Sequence, residues 1–77
     1  MPAKRRWPAT KAGRILAALH RIGWTLKRNV NAKGGSHRVL ERPGWSNVVF
    51  AFHDGEEIGP PMLAKIGRDT GLTPDDL

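Results

Sequence analysis

An α+β fold with the order helix, three antiparallel strands, helix is the architecture this 77-residue chain predicts. Three observations lead there. Apolar residues recur at helical spacing early in the chain, three segments of strand character follow at short separations, and a proline-led apolar stripe comes last. Strands joined by short loops pair as a meander, and both helices must cover one face of that sheet to bury their stripes.

Residues 1–9, MPAKRRWPA, read as a basic extended arm within the single 1–77 domain, with Trp7 as the residue that ties it down. Thr10 is placed to cap a helix. Ala12, Ile15, Leu16, Leu19 and Ile22 then fall on one stripe, and Gly23 ends the helix, glycine being cheapest in a left-handed turn. Beside the apolar stripe runs a basic one, Lys11, Arg14 and Arg21, suited to phosphates.

Trp24 to Val30 alternates large and polar residues as a half-buried strand does. Asn31 to Gly35 is rich in residues that tolerate positive φ and forms a turn. Ser36 to Arg42 is the second strand. Its alternation leaves the inward face open, since a bulge near the glycines can shift it. Pro43 to Ser46 turns the chain again, and Asn47 to His53 is the most apolar strand. After a polar loop, Pro60 and Pro61 open a second helix, proline being well suited to a first turn. Met62, Leu63 and Ile66 face the core, Gly71 stops the helix, and Leu72 folds back onto Ile66. Thr73-Pro74-Asp75-Asp76 starts a helical stub.

Composition narrows the function. Thirteen Lys and Arg against seven Asp and Glu give a net charge of +6, divided as +10 over residues 1–42 and −4 over 43–77. Such polarity in a small domain draws polyanions to one surface, so nucleic acid is the expected partner. There is no cysteine, which excludes disulfides and thiol chemistry and suits a reducing cytoplasm. The longest apolar runs, Ile15 to Leu19 and Val48 to Phe52, are too short for a membrane span or a secretion signal. Histidines at 20, 37 and 53 have no zinc-motif spacing, and the acids form no magnesium cluster, so neither a metal nor an organic cofactor is expected.

Acid–base chemistry by histidine remains. Lys33-Gly34-Gly35-Ser36-His37 sets an imidazole just past a glycine turn, among Lys27, Arg28, Lys33 and Arg38. Gly34 and Gly35 let a phosphate backbone approach closely, freed N–H groups can donate to it, and the cations hold it. An imidazole moves protons near neutral pH, and RNA brings its own nucleophile, the 2′-hydroxyl. The same segment also reads as a plain hairpin turn with a surface histidine. If Pro43 to Ser46 is the hairpin tip, positions summing to about 90 face each other. His37 and His53 then stand opposite or one residue apart, free to share the work of base and acid. His20, beside the apolar stripe, is structural or simply exposed.

From Lys11 to Leu77 the chain resembles the HicA family of small mRNA-cleaving toxins. The residues that carry the resemblance are Arg21-Ile22-Gly23-Trp24 closing the first helix, then Gly35-Ser36-His37, then Phe52-His53-Asp54-Gly55-Glu56-Glu57-Ile58 running through Pro60, Leu63-Ala64-Lys65-Ile66 and Thr70-Gly71-Leu72-Thr73. The family pattern differs at Arg38, often histidine or apolar, and at Ala51, often proline. The resemblance implies a double-stranded-RNA-binding-like fold, ribonuclease activity with His37 as the catalytic residue, and a HicB-type antitoxin that binds the toxin and blocks its site. The expected site therefore comprises His37 with His53 for catalysis. Lys11, Arg14, Lys27, Arg28, Lys33, Gly34, Gly35, Ser36 and Arg38 are expected to bind mRNA. Two rival readings keep the fold without the cleavage: a non-catalytic RNA-binding module, and an inactive homologue that only binds its antitoxin.

Overall fold

The computed structural model describes residues 6–32 and 35–77, with positions 31, 32, 35 and 36 described by backbone alone. Its elements are β1 (Thr10–Lys11), α1 (Ala12–Arg21), β2 (Thr25–Ala32), β3 (Gly35–Glu41), β4 (Val48–Phe50), β5 (Glu57–Ile58) and α2 (Pro60–Thr70), followed by a 3-10 turn at Pro74–Asp76. The expected helix, three-stranded antiparallel sheet and helix are all present, with sheet order β2-β3-β4.

Both helices bury the stripes foreseen for them. Ala12, Ile15, Ala18 and Leu19 of α1 and Leu63 and Ile66 of α2 meet Trp24, Leu40, Phe50, Ile58 and Leu72 in one cluster. Trp24, completely buried, is kept there by its indole N–H, which donates to the Thr70 carbonyl at 3.0 Å. A buried donor left unmade would cost about 1–3 kcal/mol. Gly23 and Gly71 take the positive φ expected of helix stops, at 113° and 79°. Trp7 does tie the arm, packing on the cluster and against Gly67. Lys4 and Arg5 of the arm lie outside the described residues.

Three local expectations are corrected. Thr10 is not the α1 cap. It is buried in β1, which pairs with β5, and its hydroxyl donates to the Pro8 carbonyl at 2.5 Å. The first helical N–H groups are satisfied from a distant loop instead: Ala12 donates to Glu56 O at 2.8 Å and Gly13 to Asp54 O at 2.9 Å. Met62 does not face the core but stands 41% exposed on the outer side of α2. The third strand is shorter than expected, ending at Phe50 rather than His53. Among the described residues, the first hairpin has its irregularity between Leu26 and Arg28. It turns Leu26 to one face, opposite Leu40, and Arg28 to the other, opposite Val39.

Candidate active site

Strand alternation sorts the residues of β3 between two faces. Leu40 lies opposite Val48 and Arg38 opposite Phe50; Leu40 and Phe50 are core, so these four share the helix-covered face. His37 and Val39 therefore belong to the helix-free face. Val39 is buried yet does not join the main cluster, as a residue on that outer face would be. Its cross-strand partners there are Arg28 and Val49. His37 is partly exposed and faces Val30, itself 39% exposed. Arg28 is the diagonal neighbour of His37, at roughly 7–8 Å by ladder geometry, within reach of a long side chain. An accessible imidazole thus sits beside an exposed guanidinium on an open, partly apolar sheet face.

The expected His37–His53 pair does not form. The β3–β4 ladder pairs Arg38 with Phe50, Val39 with Val49 and Leu40 with Val48. Carried one residue further, it sets Ala51 opposite His37 and leaves His53 two positions beyond. The cause is the hairpin tip, which closes one residue early, with Trp45 N–H donating to Arg42 O at 3.1 Å. His53 instead opens an exposed turn. Its carbonyl accepts from Glu56 N–H at 2.9 Å, and its own N–H donates to Glu56 Oε1 at 3.4 Å.

The expected RNA-binding cations divide among three places. Lys27, at the bulge, and Arg28 are exposed along β2. Lys11 and Arg14 are exposed at the start of α1, where they line a depression with Pro8, Ala9 and Leu77; Lys11 Nζ reaches Gly55 O at 3.5 Å. Arg38 departs from expectation. On the helix-covered face, its Nη1 donates to Asp54 Oδ1 at 3.0 Å, so its charge is partnered within the protein. Gly35, read as the end of the turn, stands in β3 paired with Ala32, and Ser36 stands in that strand as expected, paired with Asn31. Lys33 and Gly34 lie outside the described residues. His20 Nδ1 lies 2.9 Å from the Trp24 carbonyl, a structural contact at the end of α1.

Two residues escaped sequence reasoning. Asp54, in an apparently ordinary Asp-Gly turn, is the counter-ion of Arg38 and, through its carbonyl, a cap of α1. No local pattern announces such a long-range partner. Trp45 sits in the Pro43 to Ser46 turn, and a tryptophan in a turn is the one sequence signal that could single it out.

Among the described residues, no three or more of His, Asp and Glu gather where they could hold a metal ion, and no helix is long and apolar enough to cross a membrane. The family model of the HicA toxin of bacterial toxin-antitoxin systems matches residues 13–72. The chain belongs to the HicA toxin family. The match begins inside α1 and ends at Leu72, so it takes in His37, both helix stops and the whole three-stranded sheet of this HicA chain. A solved structure described as a HicA3 and HicB3 toxin-antitoxin complex superposes with a TM-score of 0.73 at 20% identity, covering 83% of this chain and 97% of that one. At that identity the likeness carries the HicA fold. No curated protein matches the sequence.

Proposed function

We propose that this HicA-family toxin is an endoribonuclease that cleaves mRNA without a metal ion, using His37 as its general acid–base, and that a HicB-type antitoxin holds it in check. The observation that supports this most is the position of His37: accessible on the helix-free face, with Arg28 as its diagonal neighbour and the exposed Lys27 next to Arg28 along β2. In the reaction, the His37 imidazole takes the proton of a ribose 2′-hydroxyl. The freed oxygen bonds to the adjoining phosphorus, and the bond from phosphorus to the 5′-oxygen breaks. Arg28 and Lys27 balance charge gathering on the phosphoryl oxygens. The departing 5′-oxygen takes its proton from solvent, so one imidazole suffices. The products are a 2′,3′-cyclic phosphate and a 5′-hydroxyl. The antitoxin reading is supported by family membership and by the HicA3–HicB3 complex that shares the fold.

Purified chain incubated with RNA in EDTA, alongside a His37→Ala variant, tests the reading. Cleavage that survives EDTA and disappears with His37 is the expected result; intact RNA from antitoxin-free protein overturns it. One observation favours a second reading. With no second imidazole opposite His37, the same surface suits an RNA-binding module, which would shift RNA mobility equally in wild type and variant and release no products. Induction in growing cells adds an independent check: arrest relieved by a co-expressed antitoxin is the outcome expected of the toxin.

A further inference from the structure

We propose that Trp45 and the groove beside it form a second RNA subsite, distinct from the His37 face, in which a single-stranded base stacks on the indole. The proposal takes its ligand class from the ribonuclease reading and adds where the strand is gripped away from the cleaved bond. Trp45 lies in the β3–β4 loop, beyond the end of β3 farther from His37. Trp45 is 41% exposed, though its ring is firmly seated. It meets the buried Trp24 edge-on, with centroids 6.0 Å apart and planes at 66°. Its benzo edge fits the glycine at 71 so closely that a Cβ there would lie 2.9 Å from Cη2. The Arg42 guanidinium carbon lies 5.2 Å from the ring centroid, over one face. A lid for Trp24 would need only to be apolar and covered. This ring is held rigid and left open.

The indole is a wall shared by two depressions. One, of about 460 Å³, has Thr25, Glu41 and Arg42 around it. The other, of about 600 Å³, is bordered by Ser46, Asn47, Lys65, Arg68 and Asp69 and is large enough for a nucleotide. These are the parts single-strand recognition uses: a fixed aromatic face for a base, short polar side chains for its edges, and cations for the phosphates. Lys65 is engaged with Asp69 at 3.8 Å, so Arg68, with no carboxylate within 4 Å among the described residues, is the principal phosphate contact. Stacking reads any base, so the subsite adds affinity and a length requirement rather than sequence choice.

The test uses the full chain carrying His37→Ala, so that RNA is not consumed, and a fluorescein-labelled single-stranded RNA of about 12 nucleotides, within the span such surfaces engage. Adding Trp45→Leu should weaken binding about tenfold, and Trp45→Phe should retain most of it. Arg68→Ala should weaken binding and lower the dependence on salt. RNA affinity unchanged by Trp45→Leu overturns the proposal. Should that variant fail to fold by circular dichroism, the exposed Arg68→Ala change decides, and an unchanged affinity and salt slope overturn it. A parent protein that binds no RNA defeats the ribonuclease reading itself, a result distinct from RNA binding that ignores Trp45. If Trp45→Leu spares RNA and weakens only the antitoxin complex, the ledge is a protein-docking surface and the nucleotide assignment is wrong.

Discussion

Arg38 and Asp54 form an ion pair, Nη1 to Oδ1 at 3.0 Å, and each directly follows a histidine, His37 and His53. The pair joins strand β3 to the turn at 53–56. That turn is already fastened to α1, because Asp54 O and Glu56 O accept the first helical N–H groups. Asp54 thus links sheet, turn and helix, through its carboxylate to Arg38 and its backbone carbonyl to α1. The Arg38 side chain is 25% exposed and that of Asp54 65%, so the energy is modest, about 0.5 kcal/mol.

Asp54→Ala is therefore expected to lower the melting temperature by only about 2–4 °C, followed by circular dichroism. Its main effect falls on the turn. Amide exchange at residues 53–56 should quicken while the α1 interior keeps its protection. The double exchange Arg38→Asp with Asp54→Arg should restore slow exchange in the turn. Equal exchange in wild type and Asp54→Ala would show that the backbone bonds alone hold it.

The two arginines nearest His37 in the ladder should behave oppositely toward RNA. Arg28 is exposed on the outer face, whereas the Arg38 charge is already matched by Asp54. With single-stranded RNA and a His37→Ala background, Arg28→Ala should reduce affinity and flatten the plot of log affinity against log salt by about 0.7. Arg38→Ala should leave that slope unchanged. A slope lowered equally by both would mean that RNA displaces Asp54.

Gly67 shows how closely the arm is fitted. A Cβ there would lie 2.7 Å from Trp7 Cζ2 and 2.8 Å from the Leu72 carbonyl oxygen. The indole can swing aside, but the backbone carbonyl cannot. Gly67→Ala should cost about 2 kcal/mol, as overpacking does, and lower the melting temperature on the order of 10 °C. In a domain whose whole stability is about 3–5 kcal/mol, that is a severe loss. Removing the indole with Trp7→Ala should not rescue it, since the clash with Leu72 persists.

Helices were the legible part of this fold. The stripe from Ala12 to Ile22, the positive-φ glycines at 23 and 71, and the prolines opening α2 are local signals, and each marks a real feature. The strands were legible as segments but not in their pairing. The slip at Lys27, which sends Leu26 and Arg28 to opposite faces, satisfies a packing demand from Leu40 and Val39 that β2 does not itself encode. The β1–β5 pair is two residues long and joins positions far apart in the chain, below the reach of any periodic pattern. At the site, His37 and its exposed cation were readable from composition around the glycines. The partners of Arg38 and Trp45 were not, because Asp54, Trp24 and Gly71 reach them only through the fold.

Register places the two histidines unequally, and on the proposed mechanism mutants should reveal it. Were His37 and His53 directly opposed, each would serve the same phosphate, and losing either would cripple the reaction. Carried one residue past its last pair, Arg38 with Phe50, the ladder register sets Ala51 in the facing position, with His53 two residues further along, at a turn held by Glu56. His37→Ala should therefore reduce the rate of RNA cleavage by about 10²–10⁴-fold, the usual worth of a general acid–base group. His53→Ala should cost less than about tenfold and leave the shape of the pH–rate profile intact, because His37, the proposed acid–base group, is still present. Single-turnover cleavage of a labelled RNA across a pH series, in EDTA, measures both. A profile that loses one limb in His53→Ala would mean that substrate binding draws the turn toward His37, and the single-imidazole scheme would give way to a paired one.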